Sequence, residues 1–184
     1  MNRSQINPMP QYYDYYINLV GDVELSQAFD QSIRQLDELD RDRMTRLDGQ
    51  TYAPNKWTVR DILQHVIDFE RILSYRSLLF ARGVGSVPQD IDQHLLARNS
   101  LANARTIDSL IDELKALRLA TEELYEGFDD HTLLKKGISW KYETSVLAMG
   151  FMMIGHQIHH LKVIEEKYFP LLQPAPAELA NTSH

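Results

Sequence analysis

Three histidines crowd five residues of 149-MGFMMIGHQIHHLKVIEEKY-168, inside a run that is otherwise apolar. On an α-helix, residues four apart are separated by roughly 40° around the axis, so His156 and His160 share one face. That face continues back through Met149 and Met153 and forward to Ile164, which makes the pair part of a core-facing stripe. His159 lies to one side of it, nearer the edge. A second segment, 59-VRDILQHVIDFERIL-73, holds a single histidine. Its inner stripe reads Ile62, His65, Phe69, Ile72, then Arg76 or Leu79, so His65 also occupies a position normally given to an apolar side chain. His65 falls about two turns into its helix, and His156 and His160 fall in the last half of theirs. If the two helices are antiparallel, all three imidazoles reach one height. Three inward imidazoles from two helices can supply a facial set of nitrogen ligands and leave positions for water or substrate. The competing reading is packing, because a lone core histidine is usually a hydrogen-bonded packing residue and HxxxH pairs also occur on exposed faces.

The residues around the trio narrow the chemistry. Gln157, not Glu, follows His156, so the HExxH arrangement with its adjacent general base is missing. Asp61 and Asp68 stand one turn before and after His65, where either could orient its ring, or serve as a helix-start charge and a surface acid. Arg76 and Arg118 fall close to the inner stripes of their helices, placed to bind an anionic substrate group, to pair with an inward acid, or to bury only their stems. His159 is read as a rim residue beside the metal, and His94, His131 and His184 as solvated. The cluster 12-YYDYY-16 is expected to pack the bundle. No serine sits in a GxSxG setting, and no glycine-rich loop offers a phosphate cradle.

The 184 residues suffice for one domain with a sizeable core. A formal net charge of -7 and scattered Lys and Arg argue against a nucleic-acid partner. With no cysteine there is no disulfide, thiolate ligand or thiol nucleophile, so a metal must be held by His, Asp, Glu or water. No apolar stretch is long enough for a signal peptide or a membrane span, and a cytoplasmic location follows by default.

The elements that must position the trio are helical nearly throughout, and no stretch alternates convincingly as a strand. One helical region runs from about Gln11 to Leu47 with a break at Gly21-Asp22, and Leu25, Phe29, Ile33, Leu36 and Leu39 line one side of its second part. A second opens at Thr58, an N-cap with Asp61 at the third helical position, and ends at Gly83-Val84-Gly85. A third covers roughly Leu101 to Phe128, and a fourth about Glu143 to Tyr168, stopped by Pro170. The result is an all-α four-helix bundle over residues 1–172, with 173–184 a flexible tail. The connection between helices two and three is long enough to carry the chain back along the bundle and make those helices parallel, although an excursion loop would look the same.

The segments 56-KWTVRDILQHVIDFERILSYR-76 and 155-GHQIHHLKVIEEKY-168 together resemble the DinB/YfiT-like metalloenzymes. Trp57, His65, Asp68, His156, His159 and His160 fit that family's Trp, its His with an acidic residue three positions on, and its closing HxxHH. The resemblance extends over about Tyr12 to Tyr168. It implies an up-down-down-up bundle and a divalent metal, zinc or nickel, held by His65, His156 and His160, the trio that the stripes select. It also implies metal activation of a low-molecular-weight thiol, as in the family's thiol S-transferases. Leu161-Lys162-Val163 depart from members that continue with Arg-Gly-Gln, which leaves the site intact and loosens the transferase reading.

The leading expectation is therefore a divalent-metal-dependent enzyme acting on small molecules, a thiol S-transferase or a hydrolase. The alternative is a non-catalytic dimeric helical module with a structural metal or none.

Overall fold

The computed structural model describes residues 1–85 and 91–172; the expectation for the tail lies outside them. Four long helices form the bundle: α2 (Leu25–Asp37), α4 (Val59–Ala81), α6 (Ile107–Glu126) and α8 (Val146–Val163). Short helices α1 (Asp14–Ile17), α3 (Arg41–Arg46), α5 (Gln93–Asn99) and α7 (Asp130–Leu133) punctuate the connections.

Side-chain contacts give the directions. Gln64 meets Arg105, Arg71 meets Glu113 and Ser77 meets Tyr125, so α4 and α6 run parallel. Ser74 with Met153, and His65 with His156, make α8 antiparallel to α4. Lys115 on Asp37 and Arg118 on Ser32 make α2 antiparallel to α6. The order is up-down-down-up, and the connection after α4 does carry the chain back along the bundle.

Local chemistry explains the boundaries. Thr58 Oγ1 accepts from the Asp61 amide at 3.1 Å while Asp61 accepts from the Thr58 amide at 3.0 Å, a reciprocal cap that starts α4. The first helical region does break around Gly21-Asp22, where Glu24 in an extended conformation restarts the chain at α2, and it breaks once more where Asp40 caps α3. The third helix begins at Ile107, later than the sequence pattern indicated; Leu101 has φ 55°, which ends one helical path, and Thr106 caps the next. Of the expected inner stripe of α2, Ile33 is only half-buried, and its neighbour Ser32, outside that stripe, is buried instead.

Two expectations are corrected. A strand pair exists, β1 (Lys136–Ser139) against β2 (Tyr142–Ser145), antiparallel with Lys136 opposite Ser145. Each strand is four residues, too short for its alternation to register, and the turn places Trp140 at φ 56° without a glycine to mark it. The hairpin also delays the fourth helix to Val146, where Ser145 accepts from the Ala148 amide as its cap. Beyond Val163 the helix widens into a π turn over Ile164–Tyr168. Among the described residues no helix is long and apolar enough to cross a membrane.

The apolar interior falls into two clusters. One gathers Leu25 and Phe29, Leu73 and Phe80, Tyr125, and Val146 to Ile154; the other gathers Leu36, Val59 to Ile67, Ile107 to Leu114, Leu161 and Ile164. Between them, at mid-height, lies a polar layer. Arg118 donates from Nε and Nη2 to the two oxygens of Glu70, each at 2.8 Å, and from Nη1 to Ser32 Oγ at 2.7 Å. Gln157 donates to the Ser32 carbonyl at 3.0 Å. All four are buried. Removing one member strands a buried charge, whereas replacing the pair with apolar residues does not. Arg118→Met is expected to lower unfolding free energy by about 3–5 kcal/mol in urea titrations, and Arg118→Met/Glu70→Leu to recover most of it. A double variant as unstable as the single would show that packing, not the stranded carboxylate, carries the cost.

Candidate metal centre

α4 and α8 bring together the three histidines their sequences place inward. His65 Nε2 lies 3.1 Å from His156 Nε2, and His160 Nε2 lies 3.1 Å from the same atom. Ligand atoms of all three fall within 4.8 Å of one another. His65 and His156 are buried and His160 half-buried. Burial, followed by neighbouring histidine charges, lowers the affinity of these rings for protons. His65 falls to about 4, with His94 and His159 contributing, and His160 to about 2, with His65 and His159 contributing. His156 lies well below the ordinary range, again first by burial. At neutral pH the rings are uncharged, the state in which an imidazole nitrogen can ligate.

The rings are fixed by their neighbours. Trp57 packs on His65 at 4.8 Å between centroids and Phe69 on the same ring at 4.5 Å. Tyr16, from α1, meets His156 edge-on at 5.3 Å and His159 at 5.5 Å. His159 is half-buried at the rim, and its Nδ1 bonds the Tyr15 hydroxyl at 3.0 Å. α1 comes this close because Gly155 has no side chain; a Cβ there would lie 1.9 Å from the Tyr16 carbonyl oxygen.

The other candidates separate by position. Asp61 spends its oxygens on Thr58 and Asn103, and Asp68 accepts from Gln64, so both carboxylates serve the α4 surface rather than the His65 ring. Arg118 is committed to Glu70 in the polar layer, the inward-acid pairing among its readings, and is not on a wall of the site. Gln157 points to α2, away from the trio. Arg76 does line a cavity of about 480 Å³ that reaches His156, with Tyr12, Tyr16, Phe69 and Trp140 among its walls. So the aromatic cluster near the N-terminus borders the site as well as packing the bundle. A second cavity of about 290 Å³ reaches His159 and His160 past Trp57 and Tyr168.

His94, read as solvated, is exposed, but sequence reasoning missed its place beside the site: it stands at the start of α5, its ring 5.6 Å from Trp57, on the walls of both cavities. The signal available was Asp92, a helix cap that accepts from the His94 and Leu95 amides in a segment without clear periodicity.

Two outcomes follow. Gly155→Ala should displace α1, lower stability by about 1–3 kcal/mol, and weaken metal binding, with Gly49→Ala, whose Cβ would meet nothing within 4 Å, as the neutral control in paired thermal melts. In the metal-free protein the unfolded histidines bind protons near pH 6.5 and the buried rings do not. Stability is therefore full above pH 6.5 and falls as pH drops toward 4. The loss from pH 6.5 to 5 should be roughly 1.5 kcal/mol for His65 alone, above the ordinary carboxylate range. Denaturation midpoints unchanged across that window would contradict buried neutral rings.

Comparison with known proteins agrees with this architecture. YfiT from Bacillus subtilis, described as a probable metal-dependent hydrolase with an unusual four-helix bundle topology, matches with a TM-score of 0.65 at 17% identity. The match covers 86% of this chain and 87% of that one, and at such identity it is a likeness of fold. No curated protein sequence matches the chain. The model of the DinB superfamily matches residues 24–164, most of the chain and all three histidines, and the protein belongs to that superfamily.

Proposed function

We propose that the protein is a divalent-metal-dependent enzyme acting on a small molecule, with His65, His156 and His160 as the metal ligands. The observation that carries this reading is the convergence of three neutral imidazole nitrogens on one point. His156 Nε2 faces two other Nε2 atoms at 3.1 Å, and a ring nitrogen carries at most one proton, so hydrogen bonding satisfies this group poorly. A cation satisfies all three. Nitrogens each about 2.0 Å from a tetrahedral ion stand about 3.3 Å apart, near the two separations of 3.1 Å seen. An imidazole set of this kind suits zinc or nickel.

When bound, such an ion lowers the pKa of a coordinated water or thiol and supplies a nucleophile at neutral pH. The chain has no cysteine of its own to provide one. Its residues do the rest. Trp57, Phe69 and Tyr16 hold the imidazoles in place, and the aromatic walls of the larger cavity admit a flat or apolar group while limiting water. Arg76 is the substrate-binding candidate that lines that cavity, and His159 and His94 form the rim. Hydrolysis and transfer to a low-molecular-weight thiol both fit. A purely structural metal is less well supported, because structural zinc is enclosed by four protein ligands and this trio opens on two cavities.

Untagged protein loaded with zinc or nickel should retain one ion per chain by elemental analysis. Calorimetric titration should show His65→Ala and His160→Ala weakening it by about 100-fold or more, at least 2.7 kcal/mol. Retention well below one equivalent in the wild type would sink the proposal. If metal binds, turnover of activated esters and amides in water, against turnover with a panel of thiols and electrophiles, separates hydrolase from S-transferase.

A further inference from the structure

Two exposed aromatic residues on the wall of the larger cavity have strained backbones. Tyr12, just before α1, has φ 70°, and Trp140, in the turn of the hairpin, has φ 56°. In that left-handed region an L side chain crowds its own backbone, so glycine, asparagine or aspartate is the usual occupant. Among the described residues five non-glycine residues adopt it, and the two aromatic ones are these. Ser139 pairs with Tyr142, so Trp140 and Lys141 form a two-residue turn in which glycine would sit without strain.

Neighbouring residues hold the strain in place. Tyr13, which follows Tyr12, and Ser139, which precedes Trp140, are both buried, and the Tyr13 hydroxyl donates to the Ser139 carbonyl at 3.2 Å. Arg76 Nη1 donates to Ser139 Oγ at 2.9 Å. The rings are braced as well. Tyr12 and Trp140 meet edge-on at 5.2 Å between centroids, and Tyr142 stacks on Tyr12 at 5.9 Å and meets Trp140 edge-on at 5.6 Å. Lys141 Nζ lies 4.6 Å from the Trp140 centroid and further fixes that ring. Tyr12 nevertheless remains 55% exposed and Trp140 36%. Rings fixed at the expense of backbone strain and left open to water gain only part of the burial that would offset it, and strain kept in this way marks a binding surface. Inward from the pair the lining stays aromatic through Phe69 and Tyr16, which pack on His156 at 5.5 and 5.3 Å.

We propose that Tyr12 and Trp140 form a recognition platform for an aromatic ring of the substrate, whose reacting group extends inward to the histidines. The second half of that statement rests on the metal-enzyme reading; the platform does not, and it needs no charge on the ligand. An aromatic ring meets preset rings in offset or edge-to-face contact, where their quadrupoles attract, and a rigid body gives up little freedom on binding. A cyclohexyl group buries at least as much apolar surface but has no quadrupole, so burial alone favours it and ring recognition disfavours it. The cavity of about 480 Å³ has room for a ring on a short chain.

The test is calorimetric titration of the full-length, metal-free protein with two neutral ligands, 4-phenylbutanamide and 4-cyclohexylbutanamide. The phenyl ligand is expected to bind more tightly by about threefold or more. Trp140→Leu and Tyr12→Leu keep an apolar side chain and should each remove or reverse that preference. Equal binding, tighter binding of the cyclohexyl ligand, no binding of either, or a preference that survives either substitution overturns the proposal. Elemental analysis after zinc loading separates the two readings. A phenyl preference in a protein that retains no zinc supports the platform while the metal-enzyme reading fails, and retained zinc without the preference does the reverse. If one variant does not fold, the other decides; if neither folds, the wild-type ratio does.

Discussion

The buried ion pair between Arg118 and Glu70 sets the frame in which everything else is placed. It joins α6 to α4, and through Ser32 it reaches α2, whose carbonyl at the same residue takes the Gln157 amide of α8. All four bundle helices are therefore tied at one height. Two apolar clusters lie above and below, and apolar contact alone is non-directional and tolerates a helix sliding by a turn. A fully buried charge does not, because a slide of one turn leaves it without its partner. The polar layer gives the bundle its register.

Register is what the histidines need. α8 is buried without interruption from Val146 to Gln157, so it has no outward face on which polar groups could be solvated. Every polar side chain in that span must find an inward partner. Gln157 finds α2, and His156 finds His65 on the antiparallel α4. With α4 pinned at Glu70, five residues after His65, and α8 pinned at Gln157, next to His156, the separation of 3.1 Å between His65 and His156 follows from the same constraint that holds the core. Burial then keeps the imidazoles neutral, which is both a cost to stability in acid and the condition for ligating a cation.

Much of this is legible in the sequence because helical spacing is a strong signal. The 3.6-residue period alone puts His65, His156 and His160 on inner stripes, and the Thr58–Asp61 cap marks where α4 begins. The antiparallel match in height follows from how far each histidine lies along its helix. What the period does not carry is partner choice. Whether Arg118 meets a substrate or Glu70, and whether Asp61 turns to His65 or to Asn103, depends on which helices are neighbours. Short elements escape for a different reason. The four-residue strands around Trp140 and the seven-residue α5 hold too few residues to establish a period, yet they place Trp140 and His94 on the cavity walls. The fold was readable from long elements, and the shape of the site is made largely by short ones.

That division has a physical basis. The ligating atoms must be held to within a few tenths of an ångström, which only elements embedded in the core achieve. His65 and His156 accordingly sit on two of the four helices that share the polar layer. The cavity walls need no such precision; α4 supplies Phe69 and Arg76, and the rest come largely from the region of α1, the β-hairpin and α5, which pack on the bundle from outside. Gly155 marks the boundary between the two regimes: it belongs to the rigid helix, one residue before His156, and its missing side chain admits the backbone of α1 against it. Variation in the short elements can therefore reshape the cavity while the three nitrogens stay where the bundle puts them. In such a scaffold the placement of the three nitrogens is a property of the bundle, and the shape of the cavity beside them owes much to what is laid over it.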